Sequence, residues 1–152
     1  MSLRFSVVLG LMFVFAPGLV ARGDETKASG EKLDGTWLPS AAELAGKKYP
    51  DEVRKTIKLV IEDDKYTVTV GQAPPDRGTI KLNSAATPKE LDITGTEGPN
   101  KGKTILAIYE RSDDGKTLRI CYDLSGKSRP TEFKTAPNTQ LFLVTYQSEK
   151  KS

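Results

Sequence analysis

Short apolar–polar alternations separated by turn residues are the feature that most constrains the fold of this chain. Every second residue is apolar in 57–61 and again in 66–70, and Asp63-Asp64-Lys65 lies between the two segments. Such alternation places the apolar side chains on one face of a strand, so the pair predicts a β-hairpin. Residues 104–111 and 117–123 flank Ser112-Asp113-Asp114-Gly115 and predict a second hairpin.

Four further strands complete the pattern. They are expected at Gly35-Thr36-Trp37, 79–83, 91–94 and 140–147. Consecutive hairpins give an up-and-down topology, and closure into a barrel removes exposed strand edges. The only clear helical candidate is 40–47, where Ser40 could cap and Gly46 could end a helix, although a second helical turn is conceivable near 51–55. The sequence therefore predicts an all-β fold, an eight-stranded antiparallel up-and-down barrel with one short helix.

Two of the predicted strands are apolar on both faces. Residues 105–109 and 141–146 contain too few polar residues for one face to meet water. One face should line the barrel interior, and the predicted helix around 41–44 is the expected cover for the other. A dimer interface is the competing explanation.

The N-terminus has the pattern of a secretory signal peptide. Arg4 precedes the apolar core 5–15, and small residues allow cleavage after Ala21. An uncleaved anchor is the alternative, but the apolar stretch is short for a bilayer core of about 30 Å. The division is thus a signal peptide at 1–21, a polar, disordered lead-in at 22–32 and one domain at 33–149. The domain is expected to be exported, periplasmic or extracellular, with membrane contact only through the signal before cleavage.

Charge and the rarity of reactive residues exclude several functions. Lys and Arg number 23 against 20 Asp and Glu, and the signs are interspersed, which argues against nucleic acid as a partner. The chain has no histidine, so Ser-His-Asp catalysis and His-ligated zinc or haem are excluded. Cys121 is the single cysteine and is interpreted as a buried thiol, with an intermolecular disulfide or a nucleophile as alternatives.

Three motifs suggest a ligand but fit a turn better. Gly98 and Gly102 are separated by three residues, whereas a phosphate-binding loop needs four and a following helix. The pairs Asp63-Asp64 and Asp113-Asp114 lack the spacing of a calcium loop and lie at predicted hairpin tips. We therefore predict no catalytic residue, no metal site and no cofactor.

Several segments resemble one family of exported domains. They are Leu33-Asp34-Gly35-Thr36-Trp37, Thr96-Glu97-Gly98-Pro99-Asn100-Lys101-Gly102-Lys103-Thr104, Ile108-Tyr109-Glu110, Leu118-Arg119-Ile120-Cys121-Tyr122 and Arg129-Pro130-Thr131-Glu132-Phe133. Together they resemble an uncharacterised, exported, lipocalin-like family known mainly from planctomycete bacteria. The resemblance implies a lipocalin-like barrel. It implies no catalytic residue, because members of that family have no established activity.

Within such a barrel Gly35 and Trp37 are expected to be structural. A tryptophan on the first strand can fill one barrel end while its indole N–H finds an acceptor. Arg129 and Arg119 are the candidates for stacking on its ring. The alternative is that Trp37 stacks on a ligand.

The segment Arg129-Pro130-Thr131-Glu132-Phe133 has two interpretations. Pro130 fixes an extended backbone, Phe133 could anchor the segment in the core, and Arg129 could pair with Glu132. The segment would then be a strap closing one barrel end. Alternatively, it is a recognition loop at the barrel mouth.

The leading functional hypothesis is a non-catalytic binding module for a small apolar or amphipathic molecule. An eight-stranded barrel has room for one small ligand or for packed side chains. The expected lining residues are Tyr66, Val68, Tyr109, Ile120, Tyr122 and Leu143. The alternative is an envelope protein-interaction or inhibitor-like module with a filled interior. An enzyme would have to use carboxylates such as Glu97, Glu110 or Glu132, and no pair is singled out by spacing.

Overall fold

A computed structural model describes residues 31–150 of the chain. The predicted signal peptide and residues 22–30 of the predicted lead-in lie outside this range. The elements are β1 (Gly35–Leu44), β2 (Lys47–Lys48), α1 (Asp51–Arg54), β3 (Ile57–Glu62), β4 (Lys65–Val70), β5 (Asp76–Asn83), β6 (Lys89–Glu97), β7 (Thr104–Arg111), β8 (Thr117–Asp123) and β9 (Leu141–Ser148).

Eight of these strands form a closed barrel. From β3 to β9 each strand pairs antiparallel with the next one in sequence. The strand β1 closes the ring by pairing with β3 on one side and β9 on the other. The short β2 pairs only with the end of β1. The predicted fold class, an antiparallel up-and-down barrel with one short helix, is confirmed, and it is consistent with a lipocalin-like barrel.

The prediction of a helix at 40–47 is wrong. Those residues continue β1 to Leu44, then turn, and the single helix is α1 instead. Ala, Glu and Leu favour helices in isolation, but seven register pairs between β1 and β9 override that preference. A β-bulge between Pro39 and Ala41 shifts the register by one residue. Ala42, and not Ala41, is therefore buried together with Trp37 and Pro39. Proline is tolerated in a strand at such a bulge.

The strands β5 and β6 are longer than their alternation indicates. They begin at Asp76 and Lys89 and pair along most of their length. At Gly78 a β-carbon would lie 1.9 Å from the carbonyl oxygen of Thr94 and 2.8 Å from the ring of Tyr66. The close approach of backbone and ring therefore requires a glycine at this position. Because glycine has no side chain, it interrupts the apolar–polar alternation that would otherwise mark the start of β5.

The two barrel ends differ in how they are filled. At one end, which we call the closed end, the N-terminal residues cross the barrel, and Leu33, Trp37 and Leu118 are fully buried there. Glu31 and Lys32, assigned to a disordered lead-in by the sequence, bond to Lys89 and Asp63 respectively. The connections 45–56, 71–75, 98–103 and 124–140 gather at the opposite end, which we call the open end.

Residues 124–140, called the strap below, cover part of the outer wall. On that wall Ile108 and Cys121 are cross-strand neighbours, and both are fully buried. The Cys121 thiol lies 3.7 Å from the carbonyl oxygen of Lys134 in the strap. The apolar outer face of β7 and β8 is thus covered by the strap and not by the helix predicted around 41–44.

Candidate functional site

A cavity of about 290 Å³ enters the barrel from the open end. Its volume lies just below the usual range for small-molecule sites, about 300–1,000 Å³. Most of its wall is aliphatic or aromatic, contributed by inward-facing residues of the strands and by the loops at the open end. The lining residues that matter below are Val53, Tyr66, Val70, Asp76, Asn100, Tyr122, Leu124 and Tyr146.

Four of the six predicted lining residues contribute to this cavity. Tyr66, Val68, Ile120 and Tyr122 all line it. Their strands alternate cleanly enough for the sequence to identify the inward face. The other two predicted residues, Tyr109 and Leu143, lie elsewhere.

Tyr109 is fully buried near the closed end. Its hydroxyl donates a 2.9 Å hydrogen bond to the carboxylate of Glu31, which also pairs with Lys89 at 3.0 Å. Burial and the bond to Glu31 raise the pKa of Tyr109 well above its ordinary value. The side chain points inward as predicted, but it does not line the cavity.

Leu143 lies on the outer face of β9. Phe142, Val144 and Tyr146 form the inward set of that strand, and Phe142 and Tyr146 line the cavity. Leu143 instead contributes to a shallow outer groove with Ala41. Because β9 is apolar on both faces, its sequence could not reveal which alternate set faces inward.

Two tyrosine hydroxyls meet within the cavity wall. The hydroxyls of Tyr122 and Tyr146 are 3.0 Å apart and form a hydrogen bond, in which either can be the donor. These side chains are only 8% and 3% exposed. Burial raises the pKa of Tyr146 to about 12 and that of Tyr122 well above its ordinary value. Both phenols are therefore protonated at neutral pH.

A second polar cluster joins the wall to a loop at the open end. Tyr66 donates to the carboxylate of Asp76 at 3.1 Å, and the backbone and side-chain nitrogens of Asn100 donate to it at 3.0 and 2.8 Å. Burial and the charge of Asp76 raise the pKa of Tyr66 well above its ordinary value. Among the described residues that line the cavity, Asp76 is the only one charged at neutral pH.

The rim of the cavity is unusually apolar. Within residues 31–150, four large hydrophobic side chains are exposed, and Val53, Val70 and Leu124 of these line the cavity. Exposed apolar side chains that cluster around an opening are typical of binding sites. No sequence pattern marks this rim, because its members come from α1, from the end of β4 and from the strap.

Trp37 lies at the closed end and does not line the cavity. It is 1% exposed, and its indole N–H donates a 2.8 Å hydrogen bond to the carbonyl oxygen of Leu33. The predicted stacking of Arg119 or Arg129 on Trp37 is wrong. Arg119 lies over the ring of Phe133 at 4.4 Å, and Arg129 binds the outer wall at Asp92.

The strap is positioned by Arg129. Its guanidinium donates to the carbonyl oxygens of Ala107 and Leu91 at 2.8 and 3.3 Å and to Asp92 at 2.6 Å. The predicted pairing of Arg129 with Glu132 is wrong, because Glu132 pairs with Lys134 instead. The predicted core anchor, Phe133, is only half-buried on the outer wall.

Pro130 and Asp123 also hold the strap. Pro130 is buried. At the start of the strap, Asp123 accepts hydrogen bonds from the backbone of Ser125 and Ser128. Burial alone would raise the pKa of Asp123, but the hydrogen bonds from the Ser125 hydroxyl, from these backbone groups and from the Ser128 hydroxyl outweigh it and hold the pKa below its ordinary value. The segment is thus a strap, but it lies along the wall and does not close an end.

Residues 31–150 include no group of three or more His, Cys, Asp or Glu side chains placed to hold a metal ion. In the same part of the chain, no helix has both the length and the apolar character to cross a membrane. Comparisons with family models, with curated proteins and with solved structures find no match to this chain. The resemblance to an exported planctomycete family therefore stays a prediction.

Proposed function

We propose that this protein is an exported, non-catalytic binding protein for one small apolar or amphipathic molecule. The observation that carries the proposal is the cavity of about 290 Å³, which opens at one barrel end through the rim of Val53, Val70 and Leu124. Removing apolar surface from water stabilises a complex by about 25 cal/mol per Å². An apolar rim and wall therefore favour a ligand with a substantial apolar part.

The alternative, a protein-interaction or inhibitor-like module, has less support. It requires a filled barrel and an apolar patch on the outside. The apolar outer face of β7 and β8 is occupied by the strap, where Ile108 and Cys121 are fully buried. The outer surface of this part of the barrel therefore offers little apolar area to a partner.

A fluorescence titration tests the proposal directly. N-phenyl-1-naphthylamine is a neutral apolar probe whose emission rises in apolar surroundings, and we expect it to bind the protein with saturation. Val68→Phe adds bulk inside the cavity and should weaken probe binding at least about tenfold. The control is Val60→Phe, which makes the same change in the neighbouring strand β3. Val60 lies on the outer face of the barrel and does not line the cavity, so probe binding should be unchanged. Absence of saturable binding to the wild-type protein would refute the proposed function.

Native mass spectrometry addresses the physiological occupant. Protein purified from its own source should retain a small molecule, seen as a discrete mass increment that Val68→Phe removes. A dimer or a co-purified protein without such an increment would instead support the interaction module.

A further inference from the structure

The paired hydroxyls of Tyr122 and Tyr146 have two donor hydrogens, but the hydrogen bond between them uses only one. Each phenol has one hydrogen to donate, and their mutual 3.0 Å bond consumes only one of the two. Among residues 31–150, neither hydroxyl forms a further hydrogen bond. Whichever tyrosine donates to the other, one O–H remains free in the cavity wall.

A free donor at this depth is costly. A buried donor hydrogen without a protein acceptor is less well stabilised than one that has such an acceptor. Tyr122 and Tyr146 are almost fully buried, whereas Val53, Val70 and Leu124 at the rim are 38–40% exposed. A ligand that enters past the rim can therefore relieve this cost by bringing an acceptor to the pair.

The polar cluster around Asp76 is already engaged. The Tyr66 hydroxyl donates to Asp76, and Asn100 supplies two further donors to the same carboxylate. No lysine or arginine is among the described residues that line the cavity. A carboxylate or sulfate ligand would lose its hydration without meeting a cation, and it would face the charge of Asp76. The wall thus favours an uncharged ligand.

We propose that the ligand is an uncharged amphipathic molecule with a hydrogen-bond-accepting oxygen, such as a ketone or an ester, and that this oxygen binds the free hydrogen of the Tyr122–Tyr146 pair. The apolar part of the ligand then lies toward the rim. This inference rests on the proposed function and specifies the ligand class of the same cavity. At neutral pH burial keeps both phenols protonated, so the pair remains a donor.

Two isosteric ligands isolate this hydrogen bond. In 2-octanone a carbonyl oxygen takes the place of the terminal methylene of 2-methyl-1-octene, so the two differ mainly in the acceptor. Each is used to displace N-phenyl-1-naphthylamine from the full-length protein. The ratio of ketone affinity to alkene affinity should fall about three- to tenfold in Tyr122→Phe/Tyr146→Phe. Tyr109→Phe makes the same change outside the cavity and should leave that ratio unchanged.

Two measurements on the wild-type protein keep the test valid if the double variant does not fold. The carbonyl stretching frequency of bound 2-octanone should lie below its value in hexane, as expected for a hydrogen-bonded carbonyl. Octanoate at pH 8 should compete more weakly than 2-octanone. A hexane-like frequency, an unchanged affinity ratio or tighter binding of octanoate would overturn the inference. If the probe itself binds and these results are negative, the ligand class is wrong while the proposed function stands.

Discussion

Trp37 fills the closed end because its size and its N–H are both used there. The ring is buried with Leu33 and Leu118, and its nitrogen donates to the Leu33 carbonyl oxygen. The same contact ties the segment before β1 across the barrel. One side chain therefore contributes to the core and fixes the N-terminal crossing.

We expect Trp37→Ala to lower the free energy of unfolding by about 3–5 kcal/mol, because it leaves a large cavity and an unpaired carbonyl. Urea unfolding followed by circular dichroism measures the change. Leu38→Ala is the control, because Leu38 is the next residue in β1 and its side chain lies on the exposed outer face. A Trp37→Ala variant that unfolds at the wild-type urea concentration would contradict the plug assignment.

Gly78 allows the ring of Tyr66 to approach β5 closely. A β-carbon there would overlap the Thr94 carbonyl oxygen and the ring. We expect Gly78→Ala to cost about 1–3 kcal/mol, since strands or ring must shift. The exposed neighbour Thr79 provides the control, and Thr79→Ala should change the urea midpoint little. Equal midpoints for both variants would show that the approach is looser than described.

At the scale of elements, the strap is held mainly by Arg129. Two backbone carbonyl oxygens and Asp92 accept its hydrogen bonds, and the strap in turn covers Cys121. Burial raises the pKa of the Cys121 thiol, which further lowers its reactivity. The single thiol of the chain is thus a reporter of whether the strap is in place.

We expect Arg129→Ala to destabilise the protein by about 2 kcal/mol and to speed the reaction of Cys121 with a thiol reagent such as 5,5′-dithiobis(2-nitrobenzoate). Lys127→Ala changes an exposed cation in the same strap and should leave the rate unaltered. If Arg129→Ala kept wild-type stability and thiol reactivity but abolished binding of a partner, the strap would be a recognition loop instead.

The sequence predicts the strands better than the segments between them. The bounds of β7 and β8 match the predicted bounds, because turn residues mark the ends of both strands. The second half of β1 was mistaken for a helix, since its pairing with β9 is a long-range contact that local propensity does not contain. The strap has no period at all, and its course depends on outer-wall acceptors that are distant in sequence.

The cavity residues likewise divide into those that the sequence predicts and those that it does not. Tyr66, Val68, Ile120 and Tyr122 could be predicted, because each lies in a strand with a clear inward set. Leu143 was assigned to the wrong face, and Tyr146 was missed, because β9 is apolar on both faces. Asp76 and Asn100 were missed because their contact joins a strand to a loop, and no pattern in sequence marks it.

At the scale of the whole molecule, four buried tyrosines link barrel stability to alkaline pH. Burial is the main cause that raises the pKa of Tyr66, Tyr109, Tyr122 and Tyr146 above about 10. A group whose pKa is raised on folding contributes stability that is complete below its unfolded pKa. That contribution is lost as pH rises through and beyond about 10.

We expect these tyrosines to ionise together when the barrel unfolds in alkali. Absorbance at 295 nm should rise in one steep step that coincides with loss of the far-ultraviolet circular dichroism signal. In concentrated urea all five tyrosines of the chain should instead titrate gradually near pH 10. Gradual titration of all five in the folded protein would show that the four rings are accessible.

The pairing of β1 with β9 also decides how the protein can be attached to something else. Trp37 lies opposite Ser148, and the Glu149 backbone N–H bonds to the carbonyl oxygen of Thr36. Both ends of the described chain therefore leave from the closed end, opposite the rim. A tag, a fusion partner or a solid support joined directly at residue 31 or residue 150 would therefore start from the closed end, away from the entrance.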